Sequence, residues 1–509
     1  MKILSDTLSS QPDHNIYDST FVTENLKDST INALSWSFLE SVVTRALRFV
    51  VSVILARLLF PEEFGLIGML LIFIAVAQVF VQSGFDAALI QKSDATEADI
   101  CSIFYFNILV AVLAAGALCL AAPWIASFYG QPVLAPMTRA LSLTLVVDSL
   151  AAVHSTLFTK EINFKAITIT SLVANLFSGL IGVFMAVKGF GVWSLIAQQI
   201  SISLVTSITL WVLSPWRPKL MFSLESLRRM FGFGSRMLFS GILNQVFENI
   251  YFVVIGKMFS AADLGLFTRA KTIQELPSLT LSNVVGRVTF PVFSKSQGDP
   301  DRLKRGLRKA LKALVLLNFP LMVGLAVVAR TLVIVLVGQK WAGCIPFLQL
   351  LCVVGLLFPL QSMNLNILMA MGRSDLFLRL AIIKRVLTVL NIVIASHWGV
   401  LGIIYGMVGL SLVFFYLNSY YTECLIGYSR VEQVKDFLPY IGVAAIMGVS
   451  VFSIGSIKFS HLIYLLLIQI FTGACVYAGL CRVFRLTAFI EVSQELSARI
   501  PFLRGNSCS

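Results

Sequence analysis

The feature that most constrains this 509-residue chain is one kind of segment repeated: apolar runs of about 20 residues follow one another from residue 32 to residue 481. Each is long enough to cross about 30 Å of hydrocarbon as a helix. Lipid offers the backbone no hydrogen-bond partner, so runs of this length must satisfy their own N–H and C=O groups as helices. Spans are expected near 32–58, 64–84, 100–122, 134–156, 166–187, 190–213, 234–257, 264–291, 313–337, 345–370, 375–396, 400–422, 438–456 and 461–481. Two of them, 32–58 and 264–291, carry several charges, so hydropathy alone would count 12. The expected fold is an all-α polytopic membrane protein of about 14 transmembrane helices.

Composition agrees. Apolar residues make up 57% and charged residues 13%, with a mean hydropathy of +0.87. A soluble domain carries roughly one quarter charged residues. The connections between spans are short, leaving no room for an external catalytic domain. Residues 1–31 are polar and mildly acidic (Asp6, Asp13, Asp18, Glu24, Asp28) and read as a cytoplasmic tail, with no basic segment leading into a short apolar core as in a cleaved signal peptide. The eight cysteines lie mostly inside apolar runs without a Cys-x-x-Cys pair, and the four histidines are isolated. Neither pattern encodes a metal site, and no cofactor is implied.

The formal charge of +13 is explained by where it sits. Cations gather after every second span: Lys160 and Lys165; Arg217, Lys219, Arg228 and Arg229; Arg302, Lys304, Arg305, Arg308 and Lys309; Arg430 and Lys435; Arg482 and Arg485. The alternate connections hold little beyond Lys188, Lys257, Lys340 and Lys458. The asymmetry places both termini in the cytoplasm and requires an even number of crossings. Topology and anionic lipid account for these clusters, and no nucleic-acid partner is expected.

The chain also repeats itself. Ile54-Leu55-Ala56-Arg57-Leu58-Leu59 and Glu63-Phe64-Gly65-Leu66 match Ile255-Gly256-Lys257-Met258-Phe259 and Asp263-Leu264-Gly265-Leu266. Gly84 meets Gly286, and Gly189-Phe190-Gly191-Val192-Trp193 resembles His397-Trp398-Gly399-Val400-Leu401. Six spans separate equivalent positions, so the halves share one orientation, as in parallel-repeat carriers. The expected organisation is a tail (1–31), a first six-helix lobe (32–213), a cytoplasmic linker (214–232), a second six-helix lobe (233–423), two further helices (438–482) and a cytoplasmic tail (483–509).

Several local motifs carry a resemblance: Phe64-Gly65-Leu66-Ile67-Gly68, Leu89-Ile90-Gln91-Lys92, Phe290-Pro291-Val292-Phe293-Ser294-Lys295, Lys340-Trp341, Ile345-Pro346-Phe347-Leu348-Gln349-Leu350-Leu351 and Leu368-Met369-Ala370. In their order and spacing they resemble the Wzx-type polysaccharide flippases of the multidrug/oligosaccharidyl-lipid/polysaccharide exporter superfamily, most closely the colanic acid exporter group. The resemblance runs from about residue 35 to residue 480. It implies a flippase of the bacterial inner membrane that moves an undecaprenyl-diphosphate-linked oligosaccharide unit outward through a cationic cavity between two lobes. It also implies membrane lipids and polysaccharide polymerase machinery as partners.

Charges inside spans are costly and usually face a cavity or a partner. Glu40, Thr44, Arg48 and Ser52 recur every four residues on the first span, with Ser37, Ser41 and Arg45 beside them. Ser240, Asn244, Gln245, Glu248 and Asn249 make a similar stripe on the repeat-related span, and the eighth adds Arg269, Lys271, Glu275 and Pro277. Two equivalent polar faces are most simply the walls of one central space. The candidate substrate-binding residues are therefore Arg45, Arg48, Asn244, Glu248, Arg269 and Lys271, with arginine suited to grip phosphate oxygens in pairs. Arg48 and Glu248 can equally be a structural ion pair between lobes. Arg57, Lys257 and Arg287, near span ends, read as snorkelling to headgroups. Lys384 and Arg385 line the cavity or mark a misplaced span boundary.

Gly189-Phe190-Gly191 and Gly232-Phe233-Gly234 read as turns, since no strand precedes them and no Walker lysine follows. Local ATP hydrolysis is thereby excluded. Two other functions compete: a cation-coupled drug exporter, which would show cavity carboxylates where this chain shows cations, and a membrane polysaccharide polymerase or ligase, which would show an extended outward loop.

Overall fold

The computed structural model describes residues 43–82, 85–92, 94–457, 461–491 and 494, and among them there is no strand. The helices are α1 (described over 43–58), α2 (Pro61–Gln82), α3 (Phe85–Gln91), α4 (Glu97–Tyr129), α5 (Leu134–Lys160), α6 (Phe164–Val187), α7 (Val192–Leu213), α8 (Leu224–Met258), α9 (Ala261–Lys295), α10 (Pro300–Leu336), α11 (Cys344–Ala370), α12 (Ser374–Ala395), α13 (Gly399–Ile426), α14 (Arg430–Gly455) and α15 (Leu462–Val483). Eleven stretches of the described residues are long and apolar enough to cross a membrane. Residues 374–426 count once among them although α12 and α13 are separate helices, and α9 falls short because of its charges. Part of the expected first span, together with Gly84 of the repeat, lies outside the described residues.

Local chemistry sets the boundaries. Thr96, Ser260 and Ser429 begin α4, α9 and α14 with reciprocal capping boxes to Asp99, Asp263 and Glu432, satisfying amide donors that have no partner in the first turn. Gly189 and Gly191 take φ of +81° and +55° in the turn between α6 and α7, a region that only glycine enters without steric cost. The second Gly-Phe-Gly is no turn. Gly232 and Gly234 lie inside α8, which begins at Leu224, so the expected linker is about nine residues shorter than 214–232. Ser223 caps this earlier start by accepting from the Ser226 amide. Likewise α9 is one helix through Pro277 and Pro291 and is not broken there.

The helix ends sort into two faces. One carries the basic connections, here called the basic end. The other carries the short turns after α1, α4, α6, α8, α10 and α12. At this second end the halves of the chain meet through repeat-equivalent residues. A Cβ on Gly65 of α2 would stand 1.7 Å from the Ala261 carbonyl oxygen of α9, and a Cβ on Gly265 of α9 would stand 1.8 Å from the Pro61 carbonyl oxygen of α2. The two contacts exchange under the 200-residue repeat, so backbone touches backbone on a local two-fold axis. An apolar core surrounds the crossing, with Leu66, Met69, Ile255, Leu264, Phe267 and Trp341 among its members. In lipid, which is as apolar as these side chains, such packing stabilises through van der Waals contact and close backbone approach.

Candidate functional site

Paired cations bracket the crossing. Arg57, at the end of α1, donates from Nε to the Leu336 carbonyl at 2.7 Å and from Nη2 to the Val335 carbonyl, both at the C-terminus of α10. Lys257, its repeat equivalent on α8, donates to the Phe128 carbonyl at the end of α4 and lies 4.7 Å from the Phe128 ring. Each half thus neutralises the negative helix end of the other, where the last carbonyls have no intrahelical donor. Lys340 returns a bond to the Arg57 carbonyl at 2.8 Å, and the Trp341 indole N–H donates to the Ala56 carbonyl at 2.8 Å. Arg57 and Lys257, expected to snorkel to headgroups, are exposed at helix ends and donate to carbonyls of the opposite half.

Arg269 belongs to the same closure. Its Nη1 and Nη2 donate to the Ser52 hydroxyl and carbonyl at 2.8 and 3.1 Å, tying α9 to α1. The guanidinium lies 4.8 Å from the Phe64 ring centroid and 5.1 Å from that of Trp341, and the residue is only 3% exposed. Stacking between aromatic faces suits a weakly hydrated planar cation. Arg269, expected as a ligand-gripping group, lies in the inter-half contact, on the turn of α9 just inside the glycine crossing.

Deeper in, the polar stripes separate. Arg45 of α1 reaches α9 and donates to the Thr280 hydroxyl at 2.8 Å. Arg48 donates from Nε to Asn175 Oδ1 of α6 at 2.7 Å. The expected Arg48–Glu248 pair is not formed. Gly179 admits Val51 closely, bringing α6 against α1, and Asn175 one turn away is then the nearer partner. Equivalence in the repeat describes role, not proximity. Glu248 and Asn244 stand exposed on α8, and Asn244 accepts from Arg385 of α12 at 2.6 Å. Lys271 lies 3.6 Å from Glu275 and 4.6 Å from the Phe252 ring centroid.

Arg385 is the group that the sequence argument left outside its candidate set. It is half-buried near the middle of α12, over the Phe247 ring at 5.0 Å, and joined to the α8 stripe through Asn244. A basic residue mid-span was the signal available. Asp148 of α5 was also passed over: it accepts from Gln78 of α2 at 3.0 Å inside the first half.

Long helices in this order, closed against each other at one end, define a polytopic membrane transporter fold. The structure superposes on the lipid II flippase MurJ in an inward closed conformation with a TM-score of 0.73, at 15% identity, over 89% of this chain and 98% of that one. A multidrug resistance MATE family transporter of the MOP superfamily, inward-facing, aligns with a TM-score of 0.62 at 16% identity, over 75% of this chain and 95% of that one. By sequence the chain belongs to the polysaccharide biosynthesis protein family, whose profile matches residues 54–346. It is 29% identical over 396 residues to the lipopolysaccharide biosynthesis protein WzxC of Escherichia coli, covering 76% of this chain and 80% of that protein. With the succinoglycan biosynthesis transport protein ExoT of Rhizobium meliloti it shares 29% over 420 residues, 82% of this chain and 83% of that one. The teichuronic acid biosynthesis protein TuaB of Bacillus subtilis is 31% identical over 305 residues, 59% of this chain, and the match spans 62% of TuaB.

Proposed function

We propose that this protein is a flippase that carries a diphosphate-linked oligosaccharide on a polyprenyl lipid across the bacterial inner membrane for surface polysaccharide synthesis, by alternating access, without catalysing a reaction of its own. The observation that carries the reading is the two-fold closure: repeat-equivalent helices meet backbone to backbone at one end, while intramembrane cations line the seam behind them. Family membership and the biosynthetic and transport roles named for WzxC, ExoT and TuaB support the same substrate class. In this reading the chain is organised as six, six and two helices, making 14 crossings, with both termini cytoplasmic. The basic end then faces the cytoplasm and the closed end the periplasm, as the cation distribution favours.

The headgroup is held by Arg45, Arg48 and Arg385, with Lys271, Asn244 and Glu248 beside them. Arg45, Arg48 and Arg385 rest on neutral hydroxyl and amide partners, which a phosphate oxygen displaces without leaving a buried carboxylate unpaired. Deleting the gene should strand saccharide-loaded lipid carrier on the cytoplasmic leaflet and abolish one surface polysaccharide. A null strain with normal polymer and new drug sensitivity would replace this reading with that of a drug exporter. Repeat units that are synthesised and flipped but left unpolymerised would instead favour a polymerase.

A further inference from the structure

At the basic end, away from the seam between the halves, α10 opens with an amphipathic segment. Leu303, Leu307 and Leu311 are buried against the second half, while Arg302, Arg305, Lys309 and Lys312 recur at intervals of three and four residues and share one face. Two adjoining clefts flank this face. One, of about 440 Å³, is lined by Arg305, Arg308, Lys309, Lys312 and the segment after α15 (Thr487, Ala488, Glu491). The other, of about 260 Å³, lies toward the end of α9 and includes Arg302, Arg305 and Val292.

Carboxylates cover only part of this charge. Arg308 and Lys312 share Asp436 at 2.6 and 3.2 Å, and Lys309 meets Glu491 at 2.8 Å. Among the described residues, four cations of the larger cleft face two carboxylates, and neither Arg302 nor Arg305 forms an ion pair. From Ala313 onward α10 is almost wholly apolar, so the cationic face sits where hydrocarbon gives way to headgroups. We infer that this face is a binding site for the phosphodiester headgroup of an anionic phospholipid, which bridges the end of α9, the start of α10 and the segment after α15. Arg305 borders both clefts and is placed to take the phosphate oxygens in pairs.

The test uses the full-length protein in detergent, titrated with phosphatidylglycerol, with phosphatidylcholine of the same acyl chains, or with inorganic phosphate, while bound lipid and melting temperature are followed. Phosphatidylglycerol should bind and raise the melting temperature where phosphatidylcholine does not. The midpoint should weaken about fivefold for each cation lost, and so about twenty-fivefold in the Arg302→Gln, Arg305→Gln double variant. The charge-matched Arg217→Gln, Lys219→Gln variant, at the same end of the molecule, should titrate like the parent. Equal weakening in both double variants would mean diffuse attraction and overturn the site. So would an equal response to inorganic phosphate, or lipid binding that becomes much tighter on deleting residues 1–31, which would assign the face to a free anion or to the acidic tail. None of these outcomes depends on transport.

Discussion

Replacing Gly65 by alanine adds one methyl group at the point where α2 and α9 touch. Its Cβ would lie 1.7 Å from the Ala261 carbonyl oxygen, against a floor of 3.0 Å for real contacts, so the helices must part by about 1.3 Å. Both neighbours are backbone and cannot rotate away. Alanine alone favours the helix by about 1 kcal/mol over glycine, so any loss must come from the crossing. Overpacking costs about 1–3 kcal/mol, and separating the surrounding core adds to it; about 3 kcal/mol moves a two-state equilibrium about 150-fold. The closed end should therefore open in a large share of molecules. In a cysteine-free background, Thr268→Cys reports on the crossing, because Thr268 lies beneath Gly68 and its hydroxyl bonds only within its own helix. A membrane-impermeant thiol reagent on the closed side should label it slowly in the parent and many times faster with Gly65→Ala. Gly116→Ala, which meets nothing within 4 Å, is the matched control. Equal labelling rates in a Gly65→Ala protein of normal abundance would refute the crossing as a closure.

Other outcomes follow from the same geometry. Arg57→Gln or Lys257→Gln should each raise closed-side labelling severalfold, and the pair more than either, since each removes one of two equivalent ties. Arg269→Ala strands the Ser52 and aromatic contacts and should lower melting temperature and abundance, with Arg269→Lys intermediate, whereas Arg385→Ala should cut export at unchanged abundance; cell-surface polymer and protein level measured together separate the two. Arg48→Ala should abolish export, and adding Glu248→Ala should not restore it, because Arg48 rests on Asn175; recovery in the double variant would revive the ion pair. Reporter fusions at Gly298 and Ser509 should read cytoplasm and one at Gln339 periplasm, and a periplasmic signal at Ser509 would make the number of crossings odd.

The fold was legible because its causes are local. Apolar length dictates helices, Ser/Thr-x-x-Asp/Glu pairs announce their starts, and the match of Gly65 with Gly265 marked equivalent places before any contact was known. Errors arose where locality fails. Gly232 and Gly234 sit inside α8 because Ser223 caps an earlier start than hydropathy implied. The polar stripes were found, but a stripe shows only that a face is polar. Arg48 met Asn175 because of the close approach at Gly179, a fact of tertiary packing that no spacing encodes. Arg269 looked like Arg45 in sequence, and only the ring positions of Phe64 and Trp341 distinguish closure from cavity. The carbonyls that accept from Arg57 and Lys257 belong to helix ends about 280 and 130 residues away, which no local pattern shows.

A glycine crossing also sets a mechanical ratio. Gly65 lies four residues inside the start of α2 and Gly265 four residues inside the start of α9, about 6 Å from those ends. Beyond the crossing α2 extends for about 25 Å and α9 for about 45 Å. The helix axes come closest at this bare backbone contact, and side chains such as Leu66, Leu264 and Phe267 pack around it. With arms of such unequal length, a rigid tilt about the crossing would move the basic end about four times as far along α2, and about seven times as far along α9, as the short end. The proposed alternating access therefore needs only a small opening at the end held by Arg57 and Lys257.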